Sequence, residues 1–162
     1  MSYYQVRPNC LAIGTEEDEL TALAVSSGIS VCLYDESKHI GGMIYTLFPS
    51  GKDDSESKAK NKLKYVDTSL EELLLRLMEE GAALECICAK LIGGAKIFHF
   101  TGPFSDGNLG RHNVEAARKW LKEKGIAIRA EDTGDNFGRT VRFRLKDGTV
   151  EIEAVSKYQY CI

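Results

Sequence analysis

Residues 29–51 have the sequence ISVCLYDESKHIGGMIYTLFPSG, and this stretch decides the fold class. Residues 29–34 are mostly β-branched or apolar and end at a polar cluster, residues 35–38, which is typical of a strand that enters a turn. Gly41 and Gly42 then open a second apolar run, residues 43–48, which stops at Pro49. The pattern therefore predicts two antiparallel strands joined by a short polar turn.

Downstream of this hairpin the hydrophobic pattern changes to a helical period. Five apolar side chains recur at three- and four-residue spacing, namely Leu70, Leu73, Leu74, Leu77 and Met78. Thr68 and Ser69 precede two glutamates and Gly81 follows the run, so an amphipathic helix with an N-terminal cap is predicted from residue 68 to Gly81. A second helix is predicted for residues 112–124.

The rest of the chain favours strands, at residues 83–92, 126–130, 140–145 and 149–155, of which the last two form a hairpin. Residues 51–64, GKDDSESKAKNKLK, nearly lack large apolar groups and are predicted to form a mobile loop. Strands before, between and after two helices indicate an α+β fold rather than a doubly wound parallel sheet. We expect one domain that spans residues 1–162.

The charge and hydropathy of the chain exclude several classes of partner. Its 162 residues include 24 acidic and 21 basic side chains, a net charge of -3 that is too weak to attract nucleic acid. The N-terminus lacks the apolar core of a signal peptide, and no apolar run approaches the ~20 residues needed to span a bilayer. We therefore expect a cytoplasmic protein that is not inserted in a membrane.

The five cysteines do not form a recognisable metal or disulfide pattern. They stand at positions 10, 32, 86, 88 and 161, an odd number without C-x-x-C spacing. We predict neither a disulfide framework nor a metal site, and no cofactor. Cys32 lies in a predicted strand, where a small thiol usually serves core packing.

Several short motifs follow one another in a characteristic order. From residue 31 onward they are VCLYD, IGGM, a strand that ends at proline, KYVDTSLEELL, AKLIGGAKIF, LGRHNVEAARKWL and IAIRAEDTGDNFGRTVRF. In this order they resemble the CheD family of chemoreceptor glutamine deamidases over about residues 31–155. The segments AKLIGGA, NVEA and AEDTGDN are the most specific.

The resemblance implies a fold, an activity and partners. The implied fold is an α/β/β/α sandwich of mixed sheets flanked by helices. The implied activity is hydrolysis of particular glutamine side chains on the cytoplasmic helices of chemoreceptors, and CheC-type phosphatases are the other implied partners. In these enzymes a cysteine thiolate attacks the amide, a histidine activates the thiol and protonates the leaving ammonia, and a threonine helps to hold the histidine.

The catalytic cysteine and histidine of the family are missing from this sequence. Counting back from Asp35 places Gly28 at the nucleophile position, whereas counting forward from Thr21, the apparent match to the family threonine, places Ser27 there. The histidine that follows the GGM element by two residues is replaced by Tyr45. A phenol with a pKa of about 10 is a poor general base at neutral pH.

Three further residues are expected to line the pocket of such a site, Ser26 beside the nucleophile position and Gly42 and Met43 in the GGM element.

Two functions therefore compete. The first is a binding or regulatory module that still docks receptor helices or a CheC-type phosphatase but does not catalyse hydrolysis. The second is an active glutamine deamidase with a relocated nucleophile, for example Ser27 or Cys32 with His39 as its base, or Thr21. A histidine in a turn, such as His39, is more often simply solvated. An unrelated function on the inherited fold is a third possibility, since fold does not fix function.

Overall fold

The computed structural model describes residues 2–50, 61–96 and 108–162, and in them ten strands and two α-helices. The strands are β1 (Tyr3–Gln5), β2 (Cys10–Thr15), β3 (Glu19–Val25), β4 (Ile29–Asp35), β5 (Ile40–Thr46), β6 (Ile87–Gly93), β7 (Ala127–Thr133), β8 (Arg139–Arg144), β9 (Val150–Ala154) and β10 (Tyr158–Cys161). The helices are α1 (Val66–Glu79) and α2 (Leu109–Lys124), and short 3₁₀ turns occupy Lys62–Lys64 and Leu84–Cys86. Neither α-helix is long and apolar enough to cross a membrane.

The strands form two five-stranded sheets. One, the central sheet, has the order β2-β5-β4-β6-β7, and the other, the outer sheet, has the order β1-β3-β8-β9-β10. Each sheet contains one parallel pair, β6 with β7 and β1 with β3, among antiparallel neighbours. The predicted α+β sandwich of mixed sheets is confirmed.

Both helices pack on the central sheet. α1 lies over β2 and β5, and α2 lies over β4, β6 and β7. The exposed face of the outer sheet instead carries ion pairs, in which Arg142 and Arg144 meet Glu151 and Glu153. Within residues 2–50, 61–96 and 108–162 the layers are therefore helices, central sheet and outer sheet.

The central sheet is buried on both faces, which explains the apolar run that opened the sequence analysis. Every residue of β4 and β5 is buried. Side chains such as Val31 and Leu33 pack against the helices, whereas Cys32 and Met43 face the outer sheet. Strands covered on both faces lose the alternation of polar and apolar residues.

The predicted hairpin is confirmed, but the glycine pair has a different role from the one expected. Gly41 and Gly42 lie inside β5, not in a turn. A Cβ on Gly42 would lie 2.5 Å from Leu73 of α1 and 2.9 Å from the Ala12 carbonyl oxygen. These glycines are needed because the helix and the neighbouring strand approach the backbone closely.

Both helices begin earlier than predicted. α1 starts at Val66 with Tyr65 as its N-cap residue, and Thr68 and Ser69 lie inside the helix. α2 starts at Leu109 rather than at residue 112. Of the predicted mobile loop, residues 51–60 lie outside the described residues, and Lys62–Lys64 form a 3₁₀ turn.

Candidate functional site

Four segments of the chain meet at one edge of the central sheet. β4 is antiparallel to β5 and β6, and β7 is parallel to β6, so the start of β4 lies beside the ends of the other three strands. We call this place the motif edge and define it as residues 26–28, 45–47, 93–96 and 133–135. The motifs that carried the family resemblance contribute most of it.

Backbone hydrogen bonds hold the loops of the motif edge together. The Gly94 and Ala95 amides donate to the carbonyl oxygens of Gly28 and Ser26, both at 2.8 Å. The Gly134 amide donates to the Gly93 oxygen at 3.0 Å. The loop at the nucleophile position is thus fixed to the glycine-rich loop after β6, which is in turn fixed to the loop after β7.

Gly28 and Tyr45 face each other at the centre of the motif edge. A Cβ on Gly28 would lie 3.1 Å from Cε1 of Tyr45 and 2.6 Å from the Thr46 carbonyl oxygen. Because Cβ atoms essentially never come within 3.0 Å of such atoms, the backbone must move before any side chain fits at position 28. Tyr45 is 7% exposed, and burial raises the pKa of its phenol above the usual value.

Asn113 joins the two segments that carry Gly28 and Tyr45. Its Nδ2 donates to the carbonyl oxygen of Ser27 at 2.8 Å and to that of Leu47 at 3.0 Å. The residue is fully buried in the first turns of α2. One side chain therefore fixes the distance between the two loops.

The helix can reach these loops because two glycines meet. A Cβ on Gly110 would lie 2.3 Å from the Ala95 oxygen and 2.5 Å from the Gly94 carbonyl group. Gly94 has a φ of +66°, and a Cβ there would lie 2.3 Å from Val114. The start of α2 consequently lies directly on the loop after β6.

Of the residues predicted for the site, Ser26, Ser27, Gly28 and Tyr45 come together, whereas Thr21, Gly42 and Met43 do not. Thr21 pairs with Arg142 on the outer sheet and points away from the sandwich interior, because its neighbours Leu20 and Ala22 point inward. Gly42 packs against α1, and Met43 is fully buried between the sheets.

The groups proposed for a relocated catalytic pair also lie elsewhere. Cys32 is 2% exposed, and burial raises the pKa of its thiol, which keeps it protonated. His39 occupies the turn at the far end of β4, where its Nδ1 lies 2.9 Å from the Tyr34 hydroxyl oxygen. A strand of seven residues separates that turn from Ser27, roughly 23 Å. The expectation that His39 could serve Ser27 is therefore wrong.

Four buried polar atoms at or beside the motif edge have no hydrogen-bond partner among the described residues. They are Oγ of Ser30, Oγ1 of Thr46, Oδ1 of Asn113 and one terminal nitrogen of Arg139, whose other terminal nitrogen donates to the Gly134 carbonyl oxygen. Ser30 lies directly opposite Tyr45 in the strand pairing. Unsatisfied buried groups are uncommon in folded proteins, and here they mark the motif edge as a region that is not built for stability alone.

Comparison with known proteins gives the family. The family model described as CheD chemotactic sensory transduction matches residues 47–154. A Methanococcus vannielii protein described as "Probable chemoreceptor glutamine deamidase CheD" is 36% identical over 148 residues, which cover 91% of this chain and 92% of the relative. The chain belongs to the CheD family. A CheD relative with the same description from Caldanaerobacter subterraneus subsp. tengcongensis is 35% identical over 136 residues, 84% of this chain and 83% of the relative.

CheD membership places this chain among chemotaxis proteins. The match to the CheD model begins two residues after Tyr45, so the segment that carries Gly28 and Tyr45 precedes it. No group of three or more His, Cys, Asp or Glu side chains within residues 2–50, 61–96 and 108–162 could hold a metal ion.

Sequence reasoning missed Asn113 as a site residue of this CheD chain. The NVEA motif contains Asn113, but its side chain acts through hydrogen bonds to the backbone of Ser27 and Leu47. These partners are distant in sequence, so the motif alone does not reveal them. A polar residue on the apolar stripe of a predicted helix, beside Val114 and Ala117, was the available signal.

Proposed function

We propose that this chain is a CheD protein that binds chemoreceptor helices or a CheC-type phosphatase on the cytoplasmic side without hydrolysing glutamine. The observation that carries the proposal is the pairing of Gly28 with Tyr45. The position next to the tyrosine ring has no side chain, and the nearby backbone would have to shift to admit one.

The chemistry of the pair supports the loss of hydrolysis. Covalent attack on a glutamine amide needs a thiolate or an activated hydroxyl, and glycine supplies neither. A general base should have a pKa near the working pH, whereas burial moves the pKa of Tyr45 upward and further from neutrality. The phenol therefore stays protonated and cannot accept the proton of a nucleophile.

The backbone frame around the pair supports retained binding. The loop after β6 is fixed to Ser26 and Gly28, and Asn113 joins Ser27 to Leu47, all without any contribution from a catalytic side chain. A rigid edge can hold a helical partner through backbone and apolar contacts when the nucleophile is lost.

The proposal is tested by measuring binding and turnover on the same sample. A chemoreceptor cytoplasmic fragment that carries glutamine should bind, and no ammonia should be released. Release of ammonia that Ser27→Ala abolishes would contradict the proposal and establish a relocated nucleophile. A fragment and a CheC-type protein that both fail to bind would contradict the binding role.

Two double variants test which residue occupies the nucleophile position. Gly28→Cys with Tyr45→His should release ammonia, at a cost in stability of about 1–3 kcal/mol because position 28 is crowded. Ser27→Cys with Tyr45→His is the matched control and should stay inactive if Gly28, which lies against the ring, is the nucleophile position. Activity in the control alone would reverse that assignment.

A further inference from the structure

A cavity opens between the two sheets at the end of the sandwich opposite the motif edge. Its volume is about 330 Å³, which lies at the small end of the range for ligand pockets. The end of β4, the starts of β6 and β7 and the turn between β8 and β9 form its wall. We call it the sheet-end pocket and define it by six of its lining residues, Tyr34, Glu36, Cys88, Lys90, Arg129 and Phe143.

The floor of the sheet-end pocket is apolar and aromatic. Cys32 and Phe143 line it, and both are almost completely buried between the sheets. The rings of Tyr34 and Phe143 pack edge to face, with their centroids 5.8 Å apart. The Tyr34 hydroxyl group donates to the Leu145 carbonyl oxygen at 2.7 Å, which holds the ring in place. A ligand that fills this pocket therefore needs an apolar body.

One charged side chain reaches into this apolar region from β6. Lys90 is only partly exposed, and its ammonium group donates to the backbone oxygens of Gly148 and Ile162 at 2.9 and 2.8 Å. An ammonium group has three N–H donors, so one of them remains for a ligand. Because the two backbone contacts already order this side chain, a ligand can use the third donor at a low cost in side-chain entropy.

Two further charges of opposite sign stand at the rim of the sheet-end pocket. Glu36 follows the last residue of β4, Arg129 lies in β7, and both side chains are exposed. All ion pairs among residues 2–50, 61–96 and 108–162 are formed by other side chains, so neither of these two charges is paired. The pocket thus offers a carboxylate and a guanidinium group that are both available to a ligand.

A β-bulge places Arg129 at the rim. The parallel pairing of β6 with β7 joins Ala89 to Ile128 and then Lys90 to Ala130, with a shift of register between the two pairs. Arg129 is the extra residue of this bulge and has no partner in the ladder. Bulges often redirect a side chain next to a functional site, and here the redirected side chain lines the pocket.

The two rim charges face each other across β6. This strand lies between β4 and β7, so about 10 Å separates the backbones that carry Glu36 and Arg129. Cys88 of β6 lies between them. Burial raises the pKa of its thiol, Arg129 lowers that pKa and Glu36 raises it, so both charges act on the same sulfur atom. Opposite charges that stand this close without pairing leave a gap that a ligand can bridge.

We propose that the sheet-end pocket binds a small zwitterion with an apolar body, of the size and charge of a free apolar amino acid. The ligand carboxylate pairs with Arg129 and accepts the remaining donor of Lys90, and the ligand ammonium group pairs with Glu36. The apolar body lies on the aromatic floor. This site does not depend on the proposed function, because it shares no residue with the motif edge.

Titration calorimetry compares L-phenylalanine and L-leucine with the analogues of each that lack the amino group or the carboxyl group. At least one of the two amino acids should bind with a Kd of about 1 mM or lower. Both of its analogues should bind at least about tenfold more weakly, because each leaves one rim charge without a partner. The absence of saturable binding of either amino acid at about 10 mM, or an analogue that binds as tightly as its parent, would overturn the proposal.

Variants assign each charge of the ligand to its partner. Glu36→Gln should weaken binding of the amino acid about fivefold but leave the analogue without an amino group within about twofold. Arg129→Gln should also weaken the amino acid about fivefold but leave the analogue without a carboxyl group within about twofold. Glu79→Gln and Lys122→Gln, at exposed positions on the two helices, are the matched controls and should leave every Kd unchanged. An unchanged Kd of the amino acid in either pocket variant would overturn the assignment.

The thiol of Cys88 locates the ligand without any substitution. It is free and partly exposed in the wall of the pocket, whereas Cys10 is free and exposed on β2 at the edge of the central sheet. Alkylation by iodoacetamide, followed by mass spectrometry of peptides, should slow at least about twofold at Cys88 when the amino acid is saturating, and it should be unchanged at Cys10. Equal rates at Cys88 with and without the bound amino acid would place the ligand elsewhere and overturn the proposal.

Discussion

Replacing Gly110 by alanine should destabilise this protein, although alanine is the better helix former. In a free helix the change stabilises by up to about 1 kcal/mol. Here the new Cβ would lie 2.3 Å from the Ala95 oxygen and 2.5 Å from the Gly94 carbonyl group. Since ordinary contacts begin near 3.4 Å, α2 must retreat by about 1 Å from a loop whose amides are bonded to Ser26 and Gly28.

The expected size of the effect follows from these opposing terms. Overpacking a protein interior costs about 1–3 kcal/mol in the free energy of unfolding. We expect the upper end of this range for Gly110→Ala, because every obstructing atom belongs to the backbone. Subtracting the gain in helix propensity leaves a net loss of about 1–2 kcal/mol, or a Tm lower by about 3–6 °C for a chain of this length.

Thermal and guanidinium unfolding measure the difference between Gly110→Ala and the natural protein. Lys119→Ala, at an exposed position of the same helix, is the control and should change stability by less than about 0.5 kcal/mol. Hydrogen exchange at the Gly94 and Ala95 amides should accelerate only in Gly110→Ala. An unchanged or higher Tm for Gly110→Ala would refute the close contact between α2 and the loop after β6.

Three further substitutions test other contacts. Asn113→Ala should cost about 1–2 kcal/mol in guanidinium unfolding, because two hydrogen bonds outweigh a gain in helix propensity; a stabilised variant would contradict the joining role. Arg139→Met should cost about 3 kcal/mol, because it leaves the buried Asp132 carboxylate without its cation, and a neutral effect on Tm would contradict that ion pair. Asp35 is buried, which by itself raises its pKa, but hydrogen bonds from Ser37 and from a backbone amide outweigh burial and hold the pKa below its usual value. Its contribution to stability is therefore present near neutral pH and lost as pH falls below about 4, so Asp35→Asn should flatten the acid limb of a stability-against-pH curve, and an unchanged limb would contradict the assignment.

The hairpin at residues 29–51 could be predicted from the sequence because both of its strands are long, apolar runs bounded by turn residues. The two helices were predictable for a similar reason, since their apolar side chains repeat with the helical period. Their starts were not predictable. Tyr65 is the N-cap residue of α1, but its side chain makes no capping hydrogen bond. The start of this helix therefore depends on tertiary contacts and not on a capping residue that the sequence would display.

The first three strands and the last one escaped prediction. β1 has three residues, all exposed, and β3 contains an irregularity between Ala22 and Val25 that interrupts its alternation. β10 is an edge strand that carries Tyr158 and Tyr160, whose hydroxyl groups donate to Asp132 on the other sheet. These strands exist because they pair with distant segments, which a local pattern does not display.

The candidate site was accessible to sequence reasoning only in part. The order of the motifs identified the family, and Ser27, Gly28 and Tyr45 were named from it. The sequence left the choice between Ser27 and Gly28 open, because one extra residue after Thr21 shifts every later position by one. The role of Asn113 depends on which loops meet in space, and no sequence window contains both of its partners.

The most direct test of the central claim is mass spectrometry of a glutamine-containing chemoreceptor fragment that has been incubated with a stoichiometric amount of the natural protein. We predict that the fragment is bound and that glutamine is converted to glutamate no faster than in a sample without the protein. Conversion above that background, in a preparation that loses it on Ser27→Ala or Cys32→Ala, would contradict the proposal that a chain with Gly28 and Tyr45 at these positions does not hydrolyse glutamine.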